Sequence, residues 1–435
     1  MNKRTFPSNF VWGTATSSFQ IEGHHADQGR GPCIWQTFCE KDGVIADHSN
    51  GEIACNHIEL VETDLDMIKS LGVDAYRFSI SWPRIFPQGT GPINEKGVLF
   101  YKNLIKGLTD RGIKPYVTLN HWDLPQALQD QGGWENRDTC LAFDQYADFV
   151  ANELSEGVVS ITTHNEPWVM AILGYEQGIF APGIKSRKSA YRAVHHLLLS
   201  HGMAVRTIKK RLPDMDVGIV LNLSPIEPLN DTPEDHARAY LDDGYICRMY
   251  MDPLIYGHYP KDVIEDLGDD APPVQEGDLA IINTPIDFVG VNYYTRNYST
   301  IGNPWDPIKQ GKKVTAMGWE VYPKGLEELL CRLSKDYPDV PYLVTENGAA
   351  FDDVITQNGI QDTERTEYIS DHIQAVSDAI AKGADVRGYF LWSFMDNFEW
   401  ASGYTKRFGI VHVDFQTQER TLKDSAYWYQ SFLKS

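Results

Sequence analysis

The sequence predicts an α/β protein, a single (β/α)8 barrel (TIM barrel) with elaborated βα loops that occupies residues 1–435. Eight short apolar segments alternate along the chain with longer segments whose apolar residues recur at helical spacing. Parallel strands joined by crossover helices account for this alternation, and eight such units close naturally into a barrel. The 435 residues exceed the roughly 150 of an average domain, but barrels of this class often do.

The predicted strands are short, rich in β-branched and aromatic residues, and bounded by glycine, proline or charged residues. The first two are Phe10–Ala15, continued to Gly23, and Ala75–Trp82. The apolar run Val158–Ile161 leads into the fourth, which ends at Glu166, and Pro167 prevents its continuation. The others are the third, Lys114–Trp122, and the fifth to eighth, Val217–Asn222, Asp287–Tyr294, Tyr342–Glu346 and Tyr389–Trp392.

The predicted helices lie between these strands and show apolar residues at helical spacing. Gly72 and Gly112 end the first two, and Pro213 ends the long helix that follows the fourth strand. The predicted helices are Asp64–Leu71, Phe100–Leu108, Leu141–Leu154, Ala190–Leu212, Ala237–Met251, Leu326–Leu333, Thr366–Ala381 and Ala426–Leu433. The stretches Gly31–Ile58, Gly174–Ser189 and Thr295–Lys313 are predicted to be loops.

Polar or aromatic residues end most of the predicted strands. In a barrel of this class the carboxyl ends of the strands meet at one mouth, which carries the active site. One polar strand end would mean little, but seven sets that converge on one mouth indicate a functional site. These residues are Gln20, Arg77, His121, Trp122, Asn165, Glu166, Asn292, Tyr294, Glu346 and Trp392.

Two of these strand-end residues, Glu166 and Glu346, are carboxylates. Two carboxylates that flank a bound bond suit glycoside hydrolysis. One must stay protonated to donate to the leaving oxygen, and the other must be ionised, either to attack the sugar or to activate water. Arg77 and Tyr294 would favour an ionised neighbour, and Asn165 would hold a sugar hydroxyl.

A second polar and aromatic run, Trp392–Trp400, follows the last strand and contains Glu399 beside Trp400. A carboxylate flanked by aromatic rings suits a polyhydroxylated ligand, because tryptophan faces pack well on the apolar faces of sugar rings. A surface turn is the alternative for this run, and core packing accounts for most of the other aromatic residues.

Charge and cysteine content exclude several function classes. The chain has 39 basic and 60 acidic residues, a formal net charge of −21, which argues against nucleic acid, anionic membrane or highly anionic substrates as partners. The six cysteines form no C-x-x-C pair, no histidine cluster has zinc-ligand spacing, and the amino-terminal residues lack an apolar signal region. We therefore expect free thiols, a cytoplasmic location, and no metal or cofactor.

The chain resembles glycoside hydrolase family 1, the β-glucosidase and β-galactosidase family, over nearly its whole length. The resemblance begins at Phe10–Gly23 and continues through Asn165-Glu166-Pro167 and Thr345–Gly348. It then covers Trp392–Trp400 and ends near Arg407–Gly409. Asn-Glu-Pro alone is a weak motif, whereas the complete set in this order is a strong one.

The resemblance implies a retaining β-glycosidase on a (β/α)8 barrel. Glu166 matches the general acid/base and Glu346 the nucleophile, and retention requires their carboxyls to lie about 5–5.5 Å apart. The substrates implied are small neutral β-glycosides such as cellobiose, with β-galactosidase and β-fucosidase activity expected at the same site. Arg77, Asn292 and Tyr294 match positions around the nucleophile; Gln20, His121, Trp122, Asn165, Glu399 and Trp400 match sugar-binding positions; Trp392 and Trp319 match the sugar platform and a leaving-group tryptophan.

Two departures from the family pattern bear on function. His164 stands where the family usually has an apolar or aromatic residue, and it either perturbs the acid/base or lies in the barrel wall. Phospho-glycosidases of the family hold a sugar phosphate with Ser, Lys and Tyr, where this chain has Trp400, Lys406 and Phe408. Because Glu399 would also repel a phosphate, we expect a neutral sugar.

Three alternatives remain open from the sequence: a 6-phospho-β-glucosidase, a catalytically silent sugar-binding barrel, and a metal-dependent hydrolase. The last lacks supporting His and Asp spacing. The sequence also leaves open the choice between glucose, galactose and fucose, the leaving group, and the oligomeric state.

Overall fold

The predicted barrel is confirmed by the computed structural model, which describes residues 3–24, 26–299 and 306–435. Eight parallel strands form a closed ring in which each strand pairs with its neighbours in chain order. The ring closes where the first strand pairs with the eighth, with Val11 opposite Gly388 and Ala15 opposite Trp392. The barrel strands, in chain order, are Val11–Ala15, Ala75–Ser79, Lys114–Asn120, Ser160–Asn165, Asp216–Asn222, Phe288–Asn292, Tyr342–Asn347 and Val386–Trp392.

The barrel strands are buried on both faces, as expected for parallel strands covered by helices. Every residue of the second, fourth, sixth and seventh barrel strands is buried. Oγ of Ser160 is buried with no hydrogen-bond partner among the described residues. Thr163, on the same strand, is paired: its Oγ1 lies 2.7 Å from Nδ1 of His201. This pairing allows the polar fourth strand to run through the core.

The helices cover the ring with their apolar faces. In the helix His57–Leu71, Leu65, Ile68 and Leu71 are fully buried, and Gly72 ends the helix at φ 79°. Ser186 caps the long helix Arg187–Arg211 by accepting from the Ser189 amide at 3.2 Å. The α-helices are Ser18–Ile21, Ile34–Cys39, His57–Leu71, Trp82–Ile85, Glu95–Asp110, Gln126–Gln129, Asp138–Glu153, Arg187–Arg211, Pro233–Asp243, Met249–Ile255, Lys261–Leu267, Asp278–Ile282, Pro323–Asp336, Thr363–Ala381 and Asp424–Leu433.

Shorter elements elaborate the connections. Two π-helical segments, Val169–Glu176 and Gly244–Arg248, follow the fourth and fifth barrel strands. Three two-stranded sheets pair Ile226–Pro228 with Asn297–Ser299, Val354–Thr356 with Gly359–Gln361, and Val411–Val413 with Arg420–Leu422. The 3-10 helices are Lys3–Thr5, Ala26–Gln28, Gly133–Glu135, Gly268–Asp270 and Trp400–Ser402.

Several predicted boundaries were wrong at strand ends. The first strand stops at Ala15, and Gln20 lies in the short helix Ser18–Ile21, where the Glu22 amide donates to the Ser18 carbonyl at 2.9 Å. Trp82 begins a helix, since Pro83 suits a first helical turn better than a strand. His121 and Trp122 follow the third strand rather than belong to it.

The predicted helix and loops around the fifth and sixth strands also differ. The single helix expected over Ala237–Met251 is divided by the π-helical segment Gly244–Arg248. The loop predicted at Gly31–Ile58 contains the helix Ile34–Cys39, whose buried aromatic residues require a packed segment. Thr295–Lys313 contains a strand at Asn297–Ser299, and its positions 300–305 lie outside the described residues.

None of the helices in the described parts of the chain combines the length and hydropathy needed to cross a lipid bilayer.

Candidate active site

Glu346 lies at the end of the seventh barrel strand with a donor on each carboxylate oxygen. Arg77 Nη1 donates to its Oε1 at 2.6 Å, and the Tyr294 hydroxyl donates to its Oε2 at 2.7 Å. The Arg77 and Glu346 side chains are both buried, so their ion pair is shielded from solvent. Two donors, one of them cationic, stabilise a negative charge on this carboxylate.

Glu166 follows the fourth barrel strand and has a different environment. Its single hydrogen-bond donor among the described residues is Asn292, whose Nδ2 lies 2.6 Å from Glu166 Oε1. Thr345 Oγ1 orients that amide by donating to Asn292 Oδ1 at 2.8 Å. Glu166 takes a left-handed φ of 52°, and its amide donates to the Val220 carbonyl at 2.8 Å, which fixes the turn.

Asn165 connects the surroundings of the two glutamates. Its Oδ1 accepts from Arg77 Nη2 at 2.7 Å and from Asn292 Nδ2 at 3.1 Å. Its Nδ2 faces His121 Nε2 at 3.2 Å. Burial and the nearby Arg77 hold the pKa of His121 well below its usual range, so the neutral ring accepts this hydrogen bond. One amide therefore fixes the relative positions of Arg77, Asn292 and His121.

The electrostatic environments of the two glutamates are opposite. Burial and the negative charge of Glu346 raise the pKa of Glu166 to about 8, against the opposing effects of Asn292 and Arg77. Glu166 is thus protonated at neutral pH, while Glu346 is held by Arg77 and Tyr294. A protonated carboxyl beside a charge-stabilised one is the arrangement that acid-assisted displacement at a sugar carbon requires.

A third carboxyl group, Glu399, lies in the turn after the eighth strand. Gln20 Nε2 approaches Glu399 Oε2 at 3.5 Å and donates to the Phe398 carbonyl at 3.0 Å. Burial and Glu346 raise the pKa of Glu399 to about 8, although Gln20 opposes the shift. Glu399 therefore offers a neutral carboxyl, able to donate as well as accept hydrogen bonds.

The Glu399 turn is held by a loop that is distant in sequence. The Glu399 amide donates to the Gly403 carbonyl at 2.7 Å, and the Tyr404 amide donates to Asp47 Oδ2 at 2.8 Å. Gly403 has φ 58°, and a Cβ at this position would lie 1.9 Å from Asp47 Oδ1. A glycine is required here both by its conformation and by this close approach.

Aromatic rings form one wall of the site. His121 stacks on Trp392 with ring centroids 5.9 Å apart, and Trp122 contacts Trp400 at 4.4 Å. Trp122 and Trp400 have φ values of 77° and 47°, and left-handed residues of this bulk cost about 1–3 kcal/mol each. On another side, Trp319 packs 5.5 Å from Tyr294.

These side chains surround one cavity of about 310 Å³. Ten of the residues predicted from the sequence line it: His121, Trp122, Glu166, Asn292, Tyr294, Trp319, Glu346, Trp392, Glu399 and Trp400. Arg77, Asn165 and Gln20 lie behind the lining and contact it through Glu346, Asn292 and Glu399. Direct contact of Gln20 and Asn165 with a sugar stays a prediction.

Sequence reasoning missed part of the lining. Asn222 ends the fifth strand, so the strand-end pattern could have identified it. Trp168 and Leu173 lie on the segment after Pro167, whose apolar sequence resembles an ordinary buried helix. The other missed lining residues are Val169, Phe180, Leu223, Ser224, Ile246, Thr295, Asn297 and Met317. Phe408, which the sequence places where phospho-glycosidases have a tyrosine, also lines the cavity.

His164 lies in the barrel wall. Asn120 Nδ2 donates to its Nδ1 at 3.0 Å, its Nε2 lies 2.9 Å from Ser200 Oγ, and its ring stacks on Phe143 at 4.3 Å. Burial holds its pKa well below the usual range, so the ring is neutral. The structure gives this histidine a packing role between the strand and the long helix Arg187–Arg211.

One group of possible metal ligands occurs among the described residues, formed by Asp353, Asp396 and His412. Lys423 Nζ lies 2.7 Å from Asp353 Oδ2 and 2.8 Å from Asp396 Oδ1. Arg407 also pairs with Asp396, at 2.6 Å. Because cationic side chains neutralise both carboxylates, this group is a buried ion network in a separate place from the glutamate cavity.

Comparison with known proteins agrees with the geometry. The sequence model that describes glycosyl hydrolase family 1 matches residues 2–435 of this chain. The chain is 45% identical to beta-glucosidase A of Acetivibrio thermocellus over 100% of this chain and 99% of that protein. It is 41% identical to the 1,4-beta-D-glucan glucohydrolase of Thermotoga neapolitana over 99% of each. The structure of the Thermotoga maritima beta-glucosidase in complex with glucoimidazole has a TM-score of 0.94 and 41% identity, covering 99% of this chain and 98% of that one.

Proposed function

Since the chain belongs to glycosyl hydrolase family 1, we propose that it is a β-glucosidase that releases terminal β-D-glucosyl residues with retention of configuration. The observation that carries the proposal is the pair of buried glutamates on one cavity. Glu166 is protonated near neutral pH, and Glu346 is held by Arg77 and Tyr294.

The first step is displacement at the anomeric carbon. A Glu346 oxygen forms the new bond to this carbon as the glycosidic bond breaks, and the bonding electrons leave with the glycosidic oxygen. Glu166 transfers its proton to that oxygen, so the leaving group departs as a neutral alcohol. In this step the negative charge moves from Glu346 to Glu166. Arg77 and Tyr294, which donate to the Glu346 carboxylate, then face the oxygens of the glycosyl ester.

The second step hydrolyses the glycosyl ester. Glu166, now ionised, takes a proton from water, and the water oxygen bonds to the anomeric carbon as the bond to Glu346 breaks. Two inversions leave the configuration unchanged. Direct attack by water would invert it and needs carboxyls roughly 6.5–9.5 Å apart.

The sugar in the cavity is proposed to be neutral. At the positions where phospho-glycosidases have Ser, Lys and Tyr, Trp400 is buried among aromatic rings and Phe408 lines the cavity. Lys406 Nζ donates to the Ala316 carbonyl at 2.7 Å and is thereby engaged. A phosphate would meet Glu399 rather than a free cation, which argues against a 6-phospho-β-glucosidase.

The proposal also covers further substrates, domain organisation and location, for which the cavity gives less direct support. We expect β-galactosides and β-fucosides as additional substrates and cellobiose as a disaccharide substrate, which would place the protein in cellulose degradation. Residues 1–435 are proposed to act as one catalytic domain. The six cysteines are unpaired, which supports a reducing compartment such as the cytoplasm.

The proposal is tested with p-nitrophenyl β-glucoside. Glu346→Ala should lower kcat by on the order of 10⁴ or more, and Glu166→Ala by roughly 10²–10⁴. Glu276→Gln, an exposed glutamate, is the matched control. Proton NMR of the first sugar released should show the β-anomer. Release of the α-anomer would disprove retention, and activity left unchanged by either alanine substitution would disprove the assignment.

The choice between neutral and phosphorylated sugar has its own measurement. Cellobiose and its 6′-phosphate are compared by glucose or glucose-phosphate release at equal concentration. We expect a clear preference for cellobiose. A preference for the phosphate would contradict the neutral-sugar proposal and leave the hydrolase assignment intact. A silent sugar-binding barrel would bind cellobiose and hydrolyse neither compound.

A further inference from the structure

We propose that Asp123 is a positioning residue that acts from behind the cavity wall. It joins the turn that carries His121 and Trp122 to the short helix that carries Gln20. This inference rests on the proposed function and adds to it a residue that controls how firmly the sugar is held. Asp123 is fully buried and directly follows two residues of the cavity lining, but it is not among the described residues that line the cavity.

The Asp123 carboxylate accepts a hydrogen bond from the first residue of the helix Ser18–Ile21. Ser18 Oγ lies 3.2 Å from Asp123 Oδ2, and Ser18 precedes Gln20 by two positions. Ser79, which ends the second barrel strand, supports this donor. The Ser18 amide donates to Ser79 Oγ at 2.7 Å, and Ser79 Oγ donates to Ser18 Oγ at 3.0 Å. The ends of the first three barrel strands are therefore connected at one buried carboxylate.

The turn before Asp123 has a strained backbone. Trp122 has φ 77°, a left-handed conformation that a residue of this bulk keeps only where surrounding contacts fix it. The Trp122 indole donates to the Asn165 carbonyl at 2.9 Å, and the next residue, Asp123, is held by Ser18. These two hydrogen bonds fix the strained residue through its side chain and through its neighbour in the chain. Loss of the second would let the Trp122 ring move relative to a bound sugar.

The helix on the other side of this contact supports the turn that carries Glu399. Gln20 Nε2 donates to the Phe398 carbonyl at 3.0 Å and approaches Glu399 Oε2 at 3.5 Å. The hydrogen bonds on Glu166 and Glu346 come from other segments of the chain. A shift of the helix should therefore weaken sugar binding more than it slows the chemical steps.

The strength of the contact depends on the charge of Asp123. Burial raises the pKa of this carboxyl to about 6, against the opposing effects of Arg30, Ser81 and Ser18. Arg30 is itself buried, and its Nε donates to Ser81 Oγ at 3.3 Å. A hydroxyl bonds more strongly to an ionised carboxylate than to a neutral carboxyl. The contact with Ser18 is thus strongest above the pKa of Asp123 and weakens as the pH falls through it.

The other titratable groups that face Asp123 do not change charge in this pH range. Glu22 adds to the rise in the pKa of Asp123, and it is held as an ion pair by Arg84 at 2.9 Å. Burial raises the pKa values of Cys33 and Tyr146, so both stay protonated near neutral pH. Within the described part of this cluster, Asp123 is therefore the group that titrates near pH 6.

The first test is a double-mutant cycle on KM for p-nitrophenyl β-glucoside with Ser18→Ala, Asp123→Ala and both together. Each single variant should raise KM by roughly three- to tenfold, the value of one hydrogen bond, and change kcat by less than about twofold. The double variant should resemble Asp123→Ala, because both substitutions break the same bond. Effects on KM that multiply in the double variant, or a loss of kcat with unchanged KM, would overturn the inference.

The matched control is Asp252→Ala. This substitution also removes a buried carboxylate that accepts from a hydroxyl, that of Tyr337 at 2.7 Å, but Asp252 is not among the described residues of the cavity lining. It should leave KM unchanged. An increase in KM as large as that of Asp123→Ala would show that any buried aspartate has this effect and would overturn the inference.

The second test measures binding apart from chemistry, by calorimetry of cellobiose on Glu166→Gln. We expect Kd to be roughly two- to fivefold lower at about pH 7 than at about pH 5, and adding Asp123→Asn should abolish the difference. Glu399, with a pKa of about 8, is neutral at both pH values. This measurement decides the matter even where Asp123→Ala fails to fold. Equal Kd values at the two pH values, or a difference that persists with Asp123→Asn, would overturn the inference.

The two tests also separate this inference from the proposed function. The expected pH dependence of cellobiose binding, without hydrolysis of any β-glucoside by the intact protein, would support the role of Asp123 and refute the proposed function. Hydrolysis without an effect of Asp123 on KM or Kd would refute the inference and leave the proposed function intact.

Discussion

Asn292 Nδ2 lies 2.6 Å from Glu166 Oε1, and this hydrogen bond opposes the rise in pKa that burial and Glu346 impose on the carboxyl group. The interaction favours the ionised form of Glu166 and so limits the proton affinity of this residue, the proposed general acid. Because Asn292 also bonds to Asn165, one side chain both tunes the acid and orients it.

Asn292→Ala should move the alkaline limb of the kcat/KM profile to higher pH. As the proposed acid, Glu166 must be protonated to act, so activity should fall as pH rises through its pKa, which is about 8 in the intact protein. Loss of the amide donor raises that pKa, even though the rate itself falls. Profiles from about pH 5 to about pH 10 measure the shift. Asn222 pairs in register with Asn292, and the control variant Asn222→Ala should leave the alkaline limb at its wild-type pH. An alkaline limb that does not shift in Asn292→Ala would contradict the prediction.

Glu399→Gln should stabilise the protein at about pH 8 and not at about pH 5. The pKa of Glu399 in the folded protein, about 8, lies above the ordinary glutamate pKa of 4.5. The folded state then binds more protons between these values, so the stability contributed by Glu399 is present at low pH and lost as pH rises. Glutamine mimics the neutral acid at every pH. Thermal melts should differ by on the order of a few degrees at the higher pH.

The exposed Glu276→Gln variant serves as the control for that comparison, with no change in melting temperature at either pH. A gain from Glu399→Gln that is as large at the low pH as at the high pH would show that packing, and not titration, is responsible.

Asp47→Ala should raise KM more than it lowers kcat. Asp47 accepts from the Tyr404 amide and from Ser49, and it contacts Gly403 in the turn that carries Glu399. Losing these bonds loosens a predicted sugar-binding turn but leaves Glu166 and Glu346 in place. A KM increase of roughly three- to tenfold corresponds to one hydrogen bond. Steady-state kinetics check it.

Two substitutions bracket the Asp47 result. Asp47→Asn keeps an acceptor oxygen and should recover part of the wild-type KM. Asp42→Ala removes an exposed aspartate from the same loop and should have no effect. A loss of kcat in Asp47→Ala with no change in KM would contradict the prediction. It would indicate that the loop supports the carboxyl pair instead.

Lys423→Met should destabilise the fold by about 3–5 kcal/mol, because Asp353 and Asp396 would lose a buried cation. Methionine keeps most of the apolar side chain of lysine. The lost stability is therefore electrostatic and does not come from a cavity. The free energy of unfolding from urea titration measures it. Lys102→Met, which breaks a half-exposed pair with Glu153, should have a far smaller effect; similar effects of the two would contradict the prediction.

The fold and the carboxyl pair could be predicted because their signals are local. Glu166 and Glu346 each follow a short apolar strand, and strands of one direction bring their ends together. The part of the cavity lined by Trp168 and Leu173 could not be predicted in the same way. Trp168 and Leu173 belong to a segment with π-helical hydrogen bonds, and its apolar composition does not distinguish it from an ordinary core helix.

The support of Glu399 was also beyond sequence reasoning. Asp47 and Gly403 are in contact although most of the chain separates them in sequence. The residues next to each of them in the sequence form no pattern that predicts this contact. Gly348 shows the same limitation: a Cβ there would lie 1.6 Å from the Trp392 carbonyl oxygen, a constraint between two strand ends that only the folded ring creates. Such long-range packing is set by tertiary structure and not by local propensity.

The pairing of Val11–Ala15 with residues 388–392 has a consequence for biosynthesis. A ribosome makes both glutamates well before it makes the partner of the first strand, so a growing chain holds every reactive group without an assembled pocket. Activity should appear abruptly once the eighth strand has left the exit tunnel, and translation products truncated before residue 386 should be inert however long they are.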